Sequence, residues 1–158
     1  MVAWGSGNPP AVVDQLRGLG LPLFVSEPRS LDDVATSLQI LGKLAGAESS
    51  ANRAAANFRQ RAAEIRSRYS TRPPVKVFYQ VWDQPLMTVN DAHLISKVLN
   101  LCGGINVFAS LSALAPTVDV EAVLAADPEV IIGSEEAGAR SDALDAWRRW
   151  PRLAATKR

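Results

Sequence analysis

The sequence predicts an α/β fold in which two parallel-sheet pieces are joined by a single long helix. Short apolar runs alternate with amphipathic segments along the chain, as they do in α/β proteins. The runs are continuously apolar, which is typical of parallel strands covered on both faces. Between residues 49 and 71, apolar residues recur every three or four positions, which predicts one helix that separates the two pieces.

The first piece is predicted to contain two strands and two helices. The strands are "VAW" at 2–4 and "LPLFVSE" at 21–27, and a short helix at 11–20 connects them. Ser30 and Asp33 have the spacing of a capping box, in which each side chain satisfies a backbone N–H of the other residue. This pair therefore marks the start of the second helix.

The long helix carries an apolar stripe and a series of arginines. The stripe consists of Ala51, Ala54, Ala55, Phe58, Ala62, Ile65 and Tyr69. The arginines lie mostly off it and are Arg53, Arg59, Arg61, Arg66 and Arg68. The series forms either a docking face for an anionic partner or the solvated side of the helix. The solvated side is favoured because Glu48 and Glu64 lie nearby.

The second piece is predicted to alternate in the same way. Its elements in order are a strand at 75–81, a helix at 91–104, a helix capped by Asp119, a strand at 130–133, a loop at 134–141 and a helix at 142–150. The apolar side of its first helix is Leu94, Ile95, Val98, Leu99 and Cys102. The last helix is expected to turn Leu144, Trp147 and Trp150 inward.

Composition excludes several classes of function. A net charge of +1 is too small to indicate nucleic acid as the main partner, and no apolar run approaches the roughly 18 residues of a membrane span. One cysteine and one histidine, Cys102 and His93, allow no internal disulfide and few metal sites. Cys102 would need a basic partner to act as a nucleophile, so a buried structural role is favoured. We predict no cofactor and no metal.

Two tryptophans follow predicted strands, one in each piece. Trp4 ends the strand at 2–4, and Trp82 comes directly after the strand at 75–81. Ligands bind beyond the carboxyl ends of the strands in open parallel sheets, and an indole offers a large apolar face. The two rings could sandwich a large flat ligand, or both could pack under loops, and the sequence pattern favours neither.

At this point the order of motifs resembles a known family. "VAWGSGNPPAVVDQLRGLGLPLFV", "VFYQVW", "NLCGGINVF" and "TVDVEAVLAADPEVII" are similar to segments of the periplasmic vitamin B12-binding proteins of ABC importers. The wider group carries siderophores and haem. The resemblance implies two α/β lobes, a rigid connecting helix and a ligand cleft between the lobes, as in the helical-backbone periplasmic binding proteins. It assigns 1–48 to part of the N-terminal lobe, 49–72 to the connecting helix and 73–158 to most of the C-terminal lobe.

The resemblance also implies roles for single residues. Trp4 and Asn8 match the family's "AW-x-x-G-N" motif and are expected to contact the ligand. Met87 falls where relatives place an apolar or aromatic contact, and Trp82 is expected to supply an aromatic face nearby. Relatives have a tryptophan directly before "PTV", where this chain has Ala115. This difference affects which ligand the resemblance implies.

The resemblance also implies roles for Glu121 and Cys102. Glu121 lies in the first turn of a predicted helix, where an acidic side chain interacts favourably with the helix terminus. It matches the glutamate that pairs with arginines of the membrane permease, so we expect it to contribute to docking. Cys102 matches a cysteine that forms a disulfide with a C-terminal helix in some relatives; we expect that helix to be missing here and the thiol to be unpaired.

We therefore expect a substrate-binding component of an ABC importer rather than an enzyme, with the ligand a cobalamin, another corrinoid, a siderophore or haem. The parent family is periplasmic, and we see no signal peptide at 1–10. The resemblance implies that the chain is truncated at both ends relative to the family, so we expect residues 1–158 alone to bind cobalamin weakly or not at all and to self-associate. The alternatives are a siderophore or haem carrier of the same fold, an α/β protein-interaction domain without a small ligand, and an enzyme that uses Cys102 or His93.

Overall fold

The structure is a computed structural model that describes residues 1–5, 7–134 and 142–157. The chain divides into two compact units, Met1–Gln60 and Arg61–Arg158. Each unit contains a parallel sheet, which confirms the predicted α/β class. All but the first residue of the loop predicted at 134–141 lies outside the described residues.

The first unit is built on two parallel strands. β1 (Val2–Trp4) and β2 (Phe24–Ser26) are connected by α1 (Pro10–Gly18). The strands pair so that Trp4 lies opposite Ser26, and their carboxyl ends therefore meet at one edge of the sheet. β2 is shorter than the predicted 21–27, in keeping with Pro22, which has no N–H for a strand ladder.

Two helices complete the first unit. α2 (Leu31–Leu44) begins at the predicted capping box: Ser30 Oγ accepts from the N–H of Asp33, and Asp33 Oδ2 accepts from the N–H of Ser30. α3 (Glu48–Tyr69) continues without a break for 22 residues and extends past the boundary between the units. The capping-box prediction is confirmed, as is the existence of the long helix.

The two faces of α3 agree with the predicted pattern except at two positions. Every residue of the predicted stripe but Ala54 is buried or half-buried. Arg59 is also half-buried, and its guanidinium donates to Asp32 of α2 at 2.5 Å and to Gln39 of α2 at 3.3 Å. The interpretation of the arginines as a solvated side is therefore wrong for Arg59, which joins α2 to α3.

The second unit contains a three-stranded parallel sheet. Its elements in order are β3 (Val75–Gln80), β4 (Trp82–Asp83), β5 (Leu86–Met87), α4 (Leu94–Leu101), β6 (Gly104–Asn106), α5 (Val120–Ala126), β7 (Val130–Gly133) and α6 (Asp142–Asp145). The order across the sheet is β6-β3-β7, and β4 and β5 form a separate antiparallel hairpin. The sequence pattern predicted β3 and β7 but neither β6 nor the hairpin.

The core of the second unit centres on Phe78 of β3. Its ring meets those of Phe108 and Trp147 edge to face, with centroids 5.7 and 5.6 Å apart. Val123 of α5 and Leu153 are buried in the same cluster. Trp147, in a 3-10 turn (Ala146–Arg149) after α6, faces inward as predicted, and Leu144 packs against the cluster. Trp150 is 39% exposed, so the prediction that it faces inward is wrong.

Cys102 is exposed, so the predicted burial of its side chain is wrong. α4 ends at Leu101, and Cys102 is its C-cap, with an N–H that donates to the carbonyls of Val98 and Leu99. At this end of the helix the Cys102 side chain is open to solvent rather than packed with the apolar face. Val98 is also exposed, at 42%, and the face that packs inward instead includes Leu99 and Leu101.

Candidate functional site

An exposed tryptophan ends the first strand of the first unit. Trp4 is 60% exposed. Its backbone N–H donates a 2.6 Å hydrogen bond to Oδ1 of Asn8, and the N–H of Asn8 donates to the carbonyl of Trp4 at 3.0 Å. The structure thus brings together the two residues predicted as ligand contacts in this unit. Oδ1 of Asn8 accepts a hydrogen bond from the backbone N–H of Trp4, so the Asn8 side chain stabilises the loop that carries the indole.

A glycine lies against this indole. A Cβ added to Gly7 would overlap Cδ2, Cε3 and Cζ3 of Trp4. The missing side chain lets the backbone approach the six-membered ring directly. Trp4 is therefore held by its own loop while most of its surface stays open to solvent.

An acidic side chain shares the edge of the sheet with Trp4. Glu27 follows β2 directly, and the N–H of Gly5 donates to the carbonyl of Ser26 at 3.0 Å. A Cβ added to Gly5 would lie 2.5 Å from Oε2 of Glu27, so the half-buried carboxyl group folds over Gly5. The sequence interpretation placed Glu27 inside the strand at 21–27, whereas the structure ends that strand at Ser26 and puts Glu27 directly after it.

The second unit presents its exposed tryptophan on the β4–β5 hairpin. Trp82 is also 60% exposed and lies opposite half-buried Met87 in the strand register. Its indole N–H donates to the carbonyl of Gln84 at 3.0 Å, and the N–H of Val81 donates to the carbonyl of Met87 at 2.9 Å. The two residues predicted as contacts in this unit are therefore neighbours as well.

Backbone hydrogen bonds hold this hairpin against the segment before α5. The N–H of Val118 donates to the carbonyl of Leu86 at 2.9 Å, and the N–H of Thr88 donates to the carbonyl of Pro116 at 3.0 Å. Ala115, which comes directly before Pro116, is exposed. Met87 itself forms an isolated antiparallel bridge with Thr117.

Glu121 lies on a different element from these aromatic residues. Asp119 caps α5 as predicted, because its Oδ1 accepts from the N–H of Ala122 at 2.6 Å. Glu121 is exposed in the first turn of this helix. Its side chain is placed where a second protein could reach it.

The two residues of the enzyme alternative are both found at helix ends. His93 is the N-cap of α4, and its Nδ1 accepts from the N–H of Ile95 at 3.1 Å. Cys102 caps the other end of the same eight-residue helix. An α-helix of that length separates its ends by about 12 Å, so the pair does not form a nucleophile and a base in contact.

Asp33 and Asp91 have lowered pKa values, and both lie beside helix starts rather than beside the exposed indoles. The hydrogen bond from the N–H of Arg29 and that from the Ser30 hydroxyl lower the pKa of Asp33. The hydrogen bond from Lys97 Nζ, at 2.7 Å, lowers the pKa of Asp91. In each case bonding to the charged form favours the carboxylate.

Within residues 1–5, 7–134 and 142–157, no group of three or more His, Cys, Asp or Glu side chains is placed to hold a metal ion. In the part of the chain that the structure describes, no helix combines the length and the apolar character needed to cross a membrane.

Comparison with known proteins identifies a family. The chain matches the family described as "Periplasmic binding protein" over residues 6–158. It is 36% identical over 148 residues to the vitamin B12-binding protein of Vibrio cholerae serotype O1, covering 94% of this chain and 54% of that protein. The chain therefore spans about half the length of the curated relatives it matches.

Solved structures agree with this assignment. The periplasmic vitamin B12-binding protein BtuF of Vibrio cholerae superposes with a TM-score of 0.86 at 34% identity, over 99% of this chain and 60% of that one. The periplasmic haem-binding protein RhuT of Roseiflexus sp. RS-1 superposes with a TM-score of 0.81 at 21% identity, over 99% and 62%. At that lower identity the second likeness shows the shared fold alone.

Proposed function

Because the chain belongs to the periplasmic binding protein family, we propose that it acts as the substrate-binding component of an ABC importer and that its ligand is a cobalamin. The proposal draws on the 36% identity to a vitamin B12-binding protein. A component of this kind captures its ligand outside the cytoplasmic membrane and delivers it to a permease, so the proposed location is the periplasm.

The observation that carries the proposal is the exposed indole of Trp4, fixed at the carboxyl edge of a parallel sheet. An indole that is 60% exposed keeps a large apolar surface in water, and burying that surface against a flat apolar ligand is favourable. Asn8 and Gly7 hold the loop and the ring in one arrangement. A ring that is already ordered loses little conformational entropy on binding.

The hairpin of the second unit supports the same ligand class. Trp82 has the same exposure as Trp4, and Met87 lies beside it. Methionine adapts its shape to irregular apolar surfaces, and an aromatic face suits the plane of a macrocycle. We assign Trp82 and Met87 to the contacts that this unit makes with the ligand.

Equilibrium dialysis against cyanocobalamin tests the proposal. The sequence alone leaves weak binding and no binding both open; the ordered and exposed Trp4 indole favours the first, so residues 1–158 are expected to bind one ligand per chain weakly. Trp4→Ala should weaken binding about tenfold or more, as truncation of a central aromatic contact does. Trp150→Ala, which removes a tryptophan that is 39% exposed outside the two indole sites, is the matched control. Absence of saturable binding at millimolar ligand, or equal losses in both variants, contradicts the proposal.

Glu121 is proposed to dock onto arginines of the permease. Exposed charge pairs at an interface fix the register of the partners and speed their association. Glu121→Gln should reduce co-purification with the permease of the same transporter, whereas Glu48→Gln should not. Glu48 also lies in the first turn of a helix, so it controls for the interaction of an acid with a helix terminus. Equal effects of the two variants would contradict the assignment.

A further inference from the structure

We propose that Asn106 is a positioning residue for the ligand site of the second unit, because its buried amide holds the strand that carries Met87 in the arrangement that meets the ligand. The inference rests on the proposed function, since it concerns the contacts assigned to Trp82 and Met87. Asn106 is the last residue of β6, and its side chain is buried. It therefore acts through the backbone of its neighbours and does not touch the ligand.

The Asn106 amide bonds to three groups at once. Its Nδ2 donates to the carbonyl of Val89 at 2.7 Å and to Oγ of Ser96 at 2.8 Å, and its Oδ1 accepts from the N–H of Phe108 at 2.9 Å. A carbonyl can only accept and a backbone N–H can only donate, so one orientation of the amide satisfies both backbone partners. The side chain is thus fixed between the end of β6 and Val89.

Val89 belongs to an extended segment, residues 86–90, that begins with β5. Hydrogen bonds join one edge of this segment to residues 114–118. The bonded pairs are Leu86 with Val118, Thr88 with Pro116 and Asn90 with Leu114. Successive residues of a strand direct their backbone groups to opposite edges, so the second edge carries the backbone groups of Met87 and Val89.

Asn106 completes this second edge. The carbonyl of Met87 accepts from the N–H of Val81 within the hairpin at 2.9 Å. Two residues further on, the carbonyl of Val89 accepts from the Asn106 amide instead of from a backbone N–H. Val89 is buried, and a buried carbonyl without a partner is costly. The Asn106 side chain therefore takes the place of a strand partner at the point where the hairpin ends.

Ser96 extends the network to the next residue of the segment. Its hydroxyl accepts from Asn106 and donates to the carbonyl of Asn90 at 2.8 Å, and it is buried as well. Buried networks whose members are all satisfied rigidify the segments they join, and a contact surface that is already ordered binds its ligand more tightly. Loss of the Asn106 amide would release the strand two residues from Met87 and so disturb the hairpin.

Two measurements on Asn106→Ala test the inference. In protein with ¹⁵N-labelled tryptophan, the indole N–H of Trp82, which donates to the carbonyl of Gln84, reports on the hairpin without ligand, and its signal should shift or broaden. Equilibrium dialysis of the folded protein should show affinity for cyanocobalamin reduced about tenfold, the lower end of what loss of a supporting hydrogen-bond partner costs at metal sites. Ser96→Ala leaves the bond to Val89 in place and should give smaller changes in the same direction.

Two control variants separate positioning from stability. Thr88→Val keeps the shape of a buried side chain next to Val89 and removes a hydroxyl that has no hydrogen-bond partner among the residues that the structure describes. Val123→Ala removes two methyl groups from the core of the same unit and lowers stability by leaving a cavity. Neither variant should change the Trp82 signal or the affinity.

Each outcome decides a separate claim. If Asn106→Ala loses stability but keeps the Trp82 signal and the affinity of the unaltered protein, the inference is overturned and the proposed function stands. If the unaltered protein binds no cyanocobalamin, the proposed function is contradicted, whereas the Trp82 signal of the free protein still decides whether Asn106 holds the hairpin. If Asn106→Ala does not fold, an unchanged Trp82 signal in Ser96→Ala overturns the inference.

Discussion

The indole N–H of Trp147 donates a 2.7 Å hydrogen bond to Oε1 of Gln80, a residue 67 positions earlier in the chain. Both side chains are buried, and Gln80 is the last residue of β3. The bond connects the 3-10 turn after α6 to the central strand of the sheet, immediately before the hairpin that carries Trp82. It therefore links the core of the second unit to the candidate site.

Removing the donor of this bond should destabilise the protein. Trp147→Phe leaves the Gln80 oxygen buried without its partner, and we expect the free energy of unfolding to fall by about 1–3 kcal/mol. Trp150→Phe changes a partly exposed tryptophan three residues away and should cost less than about 0.5 kcal/mol. Urea denaturation followed by circular dichroism measures both. Equal effects would show that the bond contributes nothing specific.

The capping box of α2 should make stability depend on acid pH. Asp33 has a pKa below its usual 3.8 in the folded protein, so the unfolded chain binds protons more readily than the folded one. Its stabilising contribution is complete above pH 3.8 and is lost as the pH falls through the folded pKa. In a plot of unfolding free energy against pH, Asp33→Asn should reduce the slope at acid pH. An unchanged slope would contradict this assignment.

The apolar groove of the first unit should mediate self-association. It has a volume of about 600 Å³ and is lined by Met1, Val2, Phe24, Leu41 and Leu44, among others. Leu44 is 66% exposed, and exposed apolar patches of this kind favour association. Sedimentation velocity should show a concentration-dependent increase in mass that Leu44→Glu reduces and Val98→Glu does not. A monomer at all concentrations would contradict the prediction.

The packing of Gly7 against Trp4 should be required for ligand binding. Gly7→Ala adds a methyl group where the indole lies, so the ring must move, and we expect cyanocobalamin binding to weaken about tenfold, as in Trp4→Ala. Gly18→Ala is the control, because an added Cβ there meets nothing within 4 Å, and it should leave binding unchanged. Full affinity in Gly7→Ala would show that the orientation of the ring does not matter.

Features set by short-range chemistry were predictable from the sequence. The Ser30–Asp33 capping box, the Asp119 cap and the strand Val130–Gly133 lie where the pattern placed them. Each depends on residues within a few positions of one another. The site residues could likewise be paired within each unit, Trp4 with Asn8 and Trp82 with Met87.

Features that depend on distant partners were not predictable. β6 has three residues and is a strand because it pairs with Val75–Val77, a contact that no local pattern encodes. The role of Asn8 in holding the Trp4 backbone depends on how the loop closes. Cys102 was misplaced because the spacing of apolar residues does not show which end of the helix the rest of the unit covers, and Cys102, the C-cap, lies exposed at that end.

The central claim is that ligand binding involves the exposed indoles, Trp4 in the first unit and Trp82 in the second, and nuclear magnetic resonance of the protein with ¹⁵N-labelled tryptophan tests it most directly. The chain has four tryptophans, so four indole N–H signals can be assigned by single Trp→Phe variants. On addition of cyanocobalamin, the account predicts saturable shifts of the Trp4 and Trp82 signals, with those of Trp147 and Trp150 little changed. Unchanged signals for Trp4 and Trp82 at millimolar ligand, or shifts confined to Trp147 and Trp150, would contradict it.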